Sequence, residues 1–148
     1  MKRMEAMSRM PGLVLLIACL CAACGSDSPS GPSSSPPAFS QTDLVVGTGT
    51  EATAGRRLTV HYTLWLYDAA QPESKGRQIE SSAGGAPFAF TLGAGQVIGG
   101  WDQGLGGMRA GGRRRLIIPP SLGYGSAGQG PIPPNASLVF DVELVAVQ

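Results

Sequence analysis

Beyond residue 24 this 148-residue chain has no cysteine, since Cys19, Cys21 and Cys24 sit together near its start. A disulfide framework, a thiolate nucleophile and a cysteine-bound metal are thereby excluded from the body of the protein. The one histidine, His61, cannot build a metal site alone. Charge of either sign is scarce, with 11 basic and 10 acidic side chains giving a formal +1. That balance offers no footing for nucleic acid. What the chain has in quantity is glycine (22) and proline (12), which suits a turn-rich β protein.

The first segment has a different character. Met1 to Met10 is net basic, and Pro11 to Ala23 is apolar and uncharged. A basic head, a short apolar run and small residues read as a secretory signal, too short for a permanent membrane span. Removing residues 1–23 leaves eight basic and nine acidic side chains, a formal −1. Gly25 to Gln41 is a Ser- and Pro-rich linker with little to bury. Ala22-Ala23-Cys24 resembles a bacterial lipobox, in which the cysteine is diacylated and becomes the new N-terminus. Cys24 is the expected site because the linker starts directly after it, and Leu16-Ile17-Ala18-Cys19 is the alternative. Two acyl chains would anchor stably, and the linker, if extended, reaches on the order of 50 Å at about 3.1 Å per residue. The expected location is the periplasmic face of the envelope, as an outer-membrane lipoprotein.

From Thr42 to Gln148 the pattern is that of one domain. Arg57 to Tyr67 is rich in β-branched and aromatic residues and predicts a long strand, with Leu58, Val60, Tyr62, Leu64 and Leu66 on one face. Phe88 to Leu92, Arg113 to Ile118 and the alternating Ser137 to Val147 predict three more, and Leu44 to Val46 a short additional strand. Gly99 to Leu105 is the single helix candidate, and its glycines cost up to about 1 kcal/mol each. Packing of Trp101 and Leu105 would have to hold it. Asp68 to Gln78 and Pro119 to Asn135 read as loops, and a loop as long as the second usually carries function. Strands outnumbering one short helix predict an α+β fold, an antiparallel sheet wrapped on the helix. Arg113-Arg114-Arg115 is split between faces by strand alternation and reads as solvated surface.

The run VIGGWDQGLGGMRAGGRRRLIIPPSLGYG, followed by GPIPPNASLVFDVELV, resembles the signature of FKBP-type peptidyl-prolyl isomerases. VHYT, the ESS after Ile79, and PFAFTLG stand upstream in the family's order. The resemblance implies a twisted antiparallel half-barrel around one short helix. It implies Tyr62, Glu80, Phe88, Trp101, Tyr124 and Phe140 as catalytic residues, with Trp101 as floor beneath the proline ring. Ile79, Val97, Ile98 and Ile132 would complete the substrate-binding pocket, the Ile98 N–H and Tyr124 hydroxyl holding substrate carbonyls. The implied partners are proline-containing exported polypeptides and the family's macrolide inhibitors, with no metal or cofactor, and the protein is expected to be a monomer.

Rotation about an X-Pro bond breaks no bond to carbon, so a pocket that prefers the twisted amide suffices. Few charges and many aromatics suit that chemistry. The sequence also departs from the family's pattern. Ile79 stands where a pocket Phe is common, Glu80 where Asp is usual, and Ala83 to Ala86 lacks the basic residue often paired with that acid. Those departures leave a second reading open, a binding module or holdase that has kept the pocket without turnover.

Overall fold

The computed structural model describes residues 35–148. The expected signal segment, Cys24 and most of the linker lie outside the described residues.

Strand alternation builds the sheet as the sequence suggests. In β2 (Arg57–Tyr67) Leu58, Val60 and Leu64 are buried, while Thr59, His61 and Thr63 between them are only partly so. In β6 (Leu138–Val147) Phe140, Val142 and Leu144 are buried, with Glu143 and Val145 exposed. These two strands pair antiparallel at the centre of the sheet, joined by β1 (Ser40–Val45), β3 (Lys75–Ser81), β4 (Phe88–Thr91) and β5 (Arg113–Ile118). The strand order is β1-β5-β6-β2-β3, with β4 also on β2 and every pairing antiparallel. The fold is therefore an open, twisted antiparallel sheet wrapped around one short helix, the α+β arrangement expected.

Two boundaries differ from the sequence reading. β1 starts at Ser40 rather than near Leu44, because Ser40 to Asp43 pair residue for residue with Ile117 to Arg114. Strand structure thus begins inside what reads as linker. The polar stretch 68–78 is not all loop either: from Lys75 it is β3, paired to the second half of β2. Its polar composition reflects an edge position, where one side meets solvent.

The helix α1 (Gly99–Gly104) is held by tertiary packing. Gly100 and Gly104, four residues apart and so on one face, lie on β5. A Cβ at Gly100 would stand 2.6 Å from Ile118 Cδ1, and one at Gly104 2.7 Å from Leu116 Cδ2. The residues that make this helix weak alone are those that let it lie flat on the sheet. Trp101 and Leu105, the residue after each of these glycines, join Leu58, Val60, Phe90 and Leu116 in the core.

Arg114 corrects the expectation of a solvated arginine run. Only 6% exposed, it donates to the carbonyls of Gly104 and Gly106 and pairs with both carboxylate oxygens of Asp43. It answers the carbonyls that the end of α1 leaves without intrahelical partners and ties that end to β1. Arg115, on the opposite face, joins Lys75, Glu73 and Asp141 in a charged network.

Candidate active site

Where β2 passes from pairing with β4 to pairing with β3, Tyr62 has no strand partner on that edge. Ser82 fills the gap: its Oγ accepts from the Tyr62 N–H at 2.9 Å, and its own N–H donates to the Tyr62 carbonyl. His61 Nδ1 also approaches the Ser82 carbonyl, at 3.1 Å on the other face. The tyrosine ring is thereby fixed at the middle of the concave face. Below it stands Trp101, 4% exposed, in an edge-on contact with ring centroids 5.2 Å apart. Phe140 and Phe88 also meet Trp101 edge-on, at 5.3 and 6.1 Å. Such arrangements match the edge of one ring to the face of the next.

These rings form the floor and walls of a cavity of about 380 Å³. Val97, Ile98, Tyr124 and Glu80 complete it, together with Leu64, Gln96 and Gln129. Phe88 stands at the rim, 42% exposed. The structure thus brings together Tyr62, Glu80, Phe88, Val97, Ile98, Trp101, Tyr124 and Phe140. Ile79 and Ile132 do not line the cavity: Ile132 is buried in the core, and Ile79 is half-buried against it. Ile79 is the extra residue of a bulge in β3, since Leu64 pairs with Glu80 while Trp65 pairs with Gln78. The bulge breaks strict alternation, so Ile79 packs on the core while its neighbour Glu80 reaches the cavity.

The loop from Leu92 to Ile98 carries three lining residues, Gln96, Val97 and Ile98, and is cinched by side chains. Asp102, one residue past the floor tryptophan, accepts from the N–H groups of Gly93 and Gly95 at 2.9 and 3.2 Å. Gln96 Oε1 accepts from the Thr91 N–H. Asp102, Ser82 and Gln96 were not legible as site residues, because each acts by holding backbone N–H groups whose placement a sequence does not display. The acid in GGWDQG, so close to glycine-rich turns, was the one available signal for Asp102.

Glu80 is the one charged side chain that lines the cavity. The Tyr62 hydroxyl donates to Glu80 Oε1 at 2.9 Å. Burial, then the bond to Glu80 and its charge, push the Tyr62 phenol up to about 12. Burial and the same carboxylate also raise the Tyr124 phenol. Both therefore stay neutral donors. The Ile98 N–H donates to no backbone carbonyl among the described residues, and the Trp101 Nε1 is buried without a hydrogen-bond partner. The site offers apolar surface and a few unspent donors, with no nucleophile–base pair.

Residues 48–145 match the family model of the FKBP-type peptidyl-prolyl cis-trans isomerases. An FK506-binding protein of Neisseria meningitidis is 50% identical over 106 residues, covering 71% of this chain and 92% of that protein. A peptidyl-prolyl cis-trans isomerase of Arabidopsis thaliana, FKBP15-3, is 47% identical over 100 residues, 68% of this chain and 66% of its own. The crystal structure of FkpA from Escherichia coli superposes with a TM-score of 0.64 at 37% identity, over 74% of this chain and 48% of that one. With an aromatic cavity on the concave face of the same fold, this chain belongs to the FKBP-type peptidyl-prolyl cis-trans isomerases and is an enzyme of that class.

Proposed function

We propose that the aromatic cavity is where this isomerase twists X-Pro bonds, and that its substrates are exported polypeptides met at the cell envelope. One observation carries the first half: five aromatic side chains, Tyr62, Phe88, Trp101, Tyr124 and Phe140, line a cavity of about 380 Å³ in which Glu80 is the one charged lining residue.

Planar amides owe their rotation barrier of about 18–20 kcal/mol to resonance. Twisting the bond removes that resonance and lessens the charge on the carbonyl oxygen. A water-poor cavity therefore holds the twisted amide better than either planar form, which is what lowers a barrier. Trp101 supports the proline ring, Tyr62, Phe88 and Phe140 exclude water around it, and the Ile98 N–H and Tyr124 hydroxyl hold the flanking carbonyls. A thousandfold acceleration needs about 4 kcal/mol of such differential binding. The family's macrolide inhibitors would occupy the same cavity.

Export rests on the basic head, apolar run and small residues before Cys24, and the anchor on that cysteine's context. From an acylated Cys24 the linker would carry the domain clear of the membrane. A protease-coupled assay on proline peptides tests the catalytic site, with Trp101→Ala and Tyr124→Phe expected to slow it. No acceleration by the wild type over buffer, whatever residue precedes proline, would leave a binding module or holdase instead. Radioactive palmitate tests the anchor: incorporation should vanish in Cys24→Ser and persist in Cys19→Ser, and the reverse pattern moves the anchor to Cys19.

A further inference from the structure

Among the described residues, five carboxylates are committed to ion pairs: Asp43, Glu51, Glu73, Asp141 and Glu143. Asp68 and Asp102 accept from backbone N–H groups. Glu80 differs from all of these. It is exposed, it lines the cavity, it takes one hydrogen bond from Tyr62, and no cation pairs with it among the described residues. It is also the one lining side chain that carries a full charge; the others are apolar residues, tyrosines and glutamines. Its charge reaches both phenols of the cavity. On the same side of β2, Lys75 is paired with Glu73 and Asp141, and Arg77 donates to the Pro131 carbonyl rather than to Glu80. The segment that follows, Ala83 to Pro87, holds no cation that could swing over to it.

A bound peptide lays its proline on an apolar floor, so the side chains beside the proline stand at the rim. There they meet this single unneutralised carboxylate. We propose that Glu80 is a specificity-determining residue that selects X-Pro substrates carrying a lysine or arginine next to the proline and disfavours those carrying an acid. The inference rests on the cavity being the isomerase site. Attraction to the base and repulsion of the acid both enter the ratio between such substrates, so an exposed pair suffices for about tenfold at low salt. Screening should erode it.

The test compares kcat/KM, by NMR exchange, for peptides with Lys, Gln or Glu placed before the proline, and a second set with them after it. The full-length protein is measured at low and high salt, beside Glu80→Gln and Glu80→Lys. Expected is a Lys-over-Glu preference of about tenfold in at least one set, shrinking severalfold near 1 M salt. It should approach unity in Glu80→Gln and reverse in Glu80→Lys. A flat wild-type ratio in both sets at low salt overturns the proposal, and so does a preference that Glu80→Gln leaves intact. The salt series on wild type keeps the test decisive if a variant fails to fold. Acceleration with a flat ratio sinks the specificity role alone; no acceleration of any peptide sinks the reading of the cavity as well.

Discussion

The two ends of helix α1 are treated in opposite ways. At its start Ile98 and Trp101 face an open cavity walled by rings, and the Trp101 Nε1 is left without a partner. At its end Arg114 is buried against the carbonyls of Gly104 and Gly106 and locked to Asp43. Ion pairs are concentrated where position must be fixed, whereas around the floor, where a twisted, less polar amide must be preferred, the lining is aromatic and apolar apart from Glu80. The sheet repeats the contrast across its thickness. Tyr62, Leu64 and Phe140 line the cavity, while their strand neighbours Thr63 and Asp141 belong to the outer face. There Asp141 takes hydrogen bonds from Lys75 and Arg115.

The contrast is broken most strongly at Arg114. Arg114→Met keeps the apolar stem but orphans the Gly104 and Gly106 carbonyls and leaves Asp43 without its cation. The expected loss is about 3 kcal/mol of unfolding free energy by urea titration. Exchange rates on proline peptides should persist under conditions where the variant is folded. Trp101→Leu is the mirror case. It keeps an apolar residue in the core but removes the floor, and kcat/KM should fall about a hundredfold, a cost of about 2.7 kcal/mol in the transition state.

Asp141→Asn comes next, with an expected loss of about 1–2 kcal/mol at neutral pH and unchanged kcat/KM. Burial alone would raise the Asp141 carboxyl, but hydrogen bonds and charge from Arg115 and Lys75 outweigh it and hold the group below its ordinary 3.8. A depressed folded value stabilises fully above the ordinary value and is lost as pH falls through the depressed one. The gap between wild type and Asp141→Asn in urea titrations should therefore be full at pH 6 and narrow below about pH 4. Tyr124→Phe is the mildest, since it removes one hydroxyl and no ring. A fall in kcat/KM of about fivefold is expected, with stability within about 0.5 kcal/mol of wild type.

Alternation made β2, β5 and β6 legible, and the helix could be placed because Trp101 and Leu105 demanded burial. β3 was partly hidden because Lys75, Gly76, Arg77 and Gln78 carry little β propensity. Their strand conformation comes from pairing to β2, a tertiary effect no local pattern announces. Arg114 was hidden for a related reason: what buries it is the end of a helix ten residues earlier in the chain. In the site, the aromatic residues were legible as a set, since rings in an otherwise charge-poor domain have few places to go. The roles of Asp102 and Ser82 were not, because they hold backbone N–H and carbonyl groups that look alike in every sequence. Ile79 and Glu80 show the same limit. Strict alternation puts them on opposite faces, and only the bulge turns one to the core and the other to the cavity.

Catalysis here is the work of an aromatic cavity in which no group gains or loses a proton. The most direct measurement is the enzyme-catalysed exchange rate of an uncharged Leu-Pro peptide followed by NMR across pH 6 to 9. Both cavity phenols are raised and stay protonated over that range. A flat profile is the predicted result, whereas a titration of the rate with a midpoint inside the range would contradict it and point to a general acid or base.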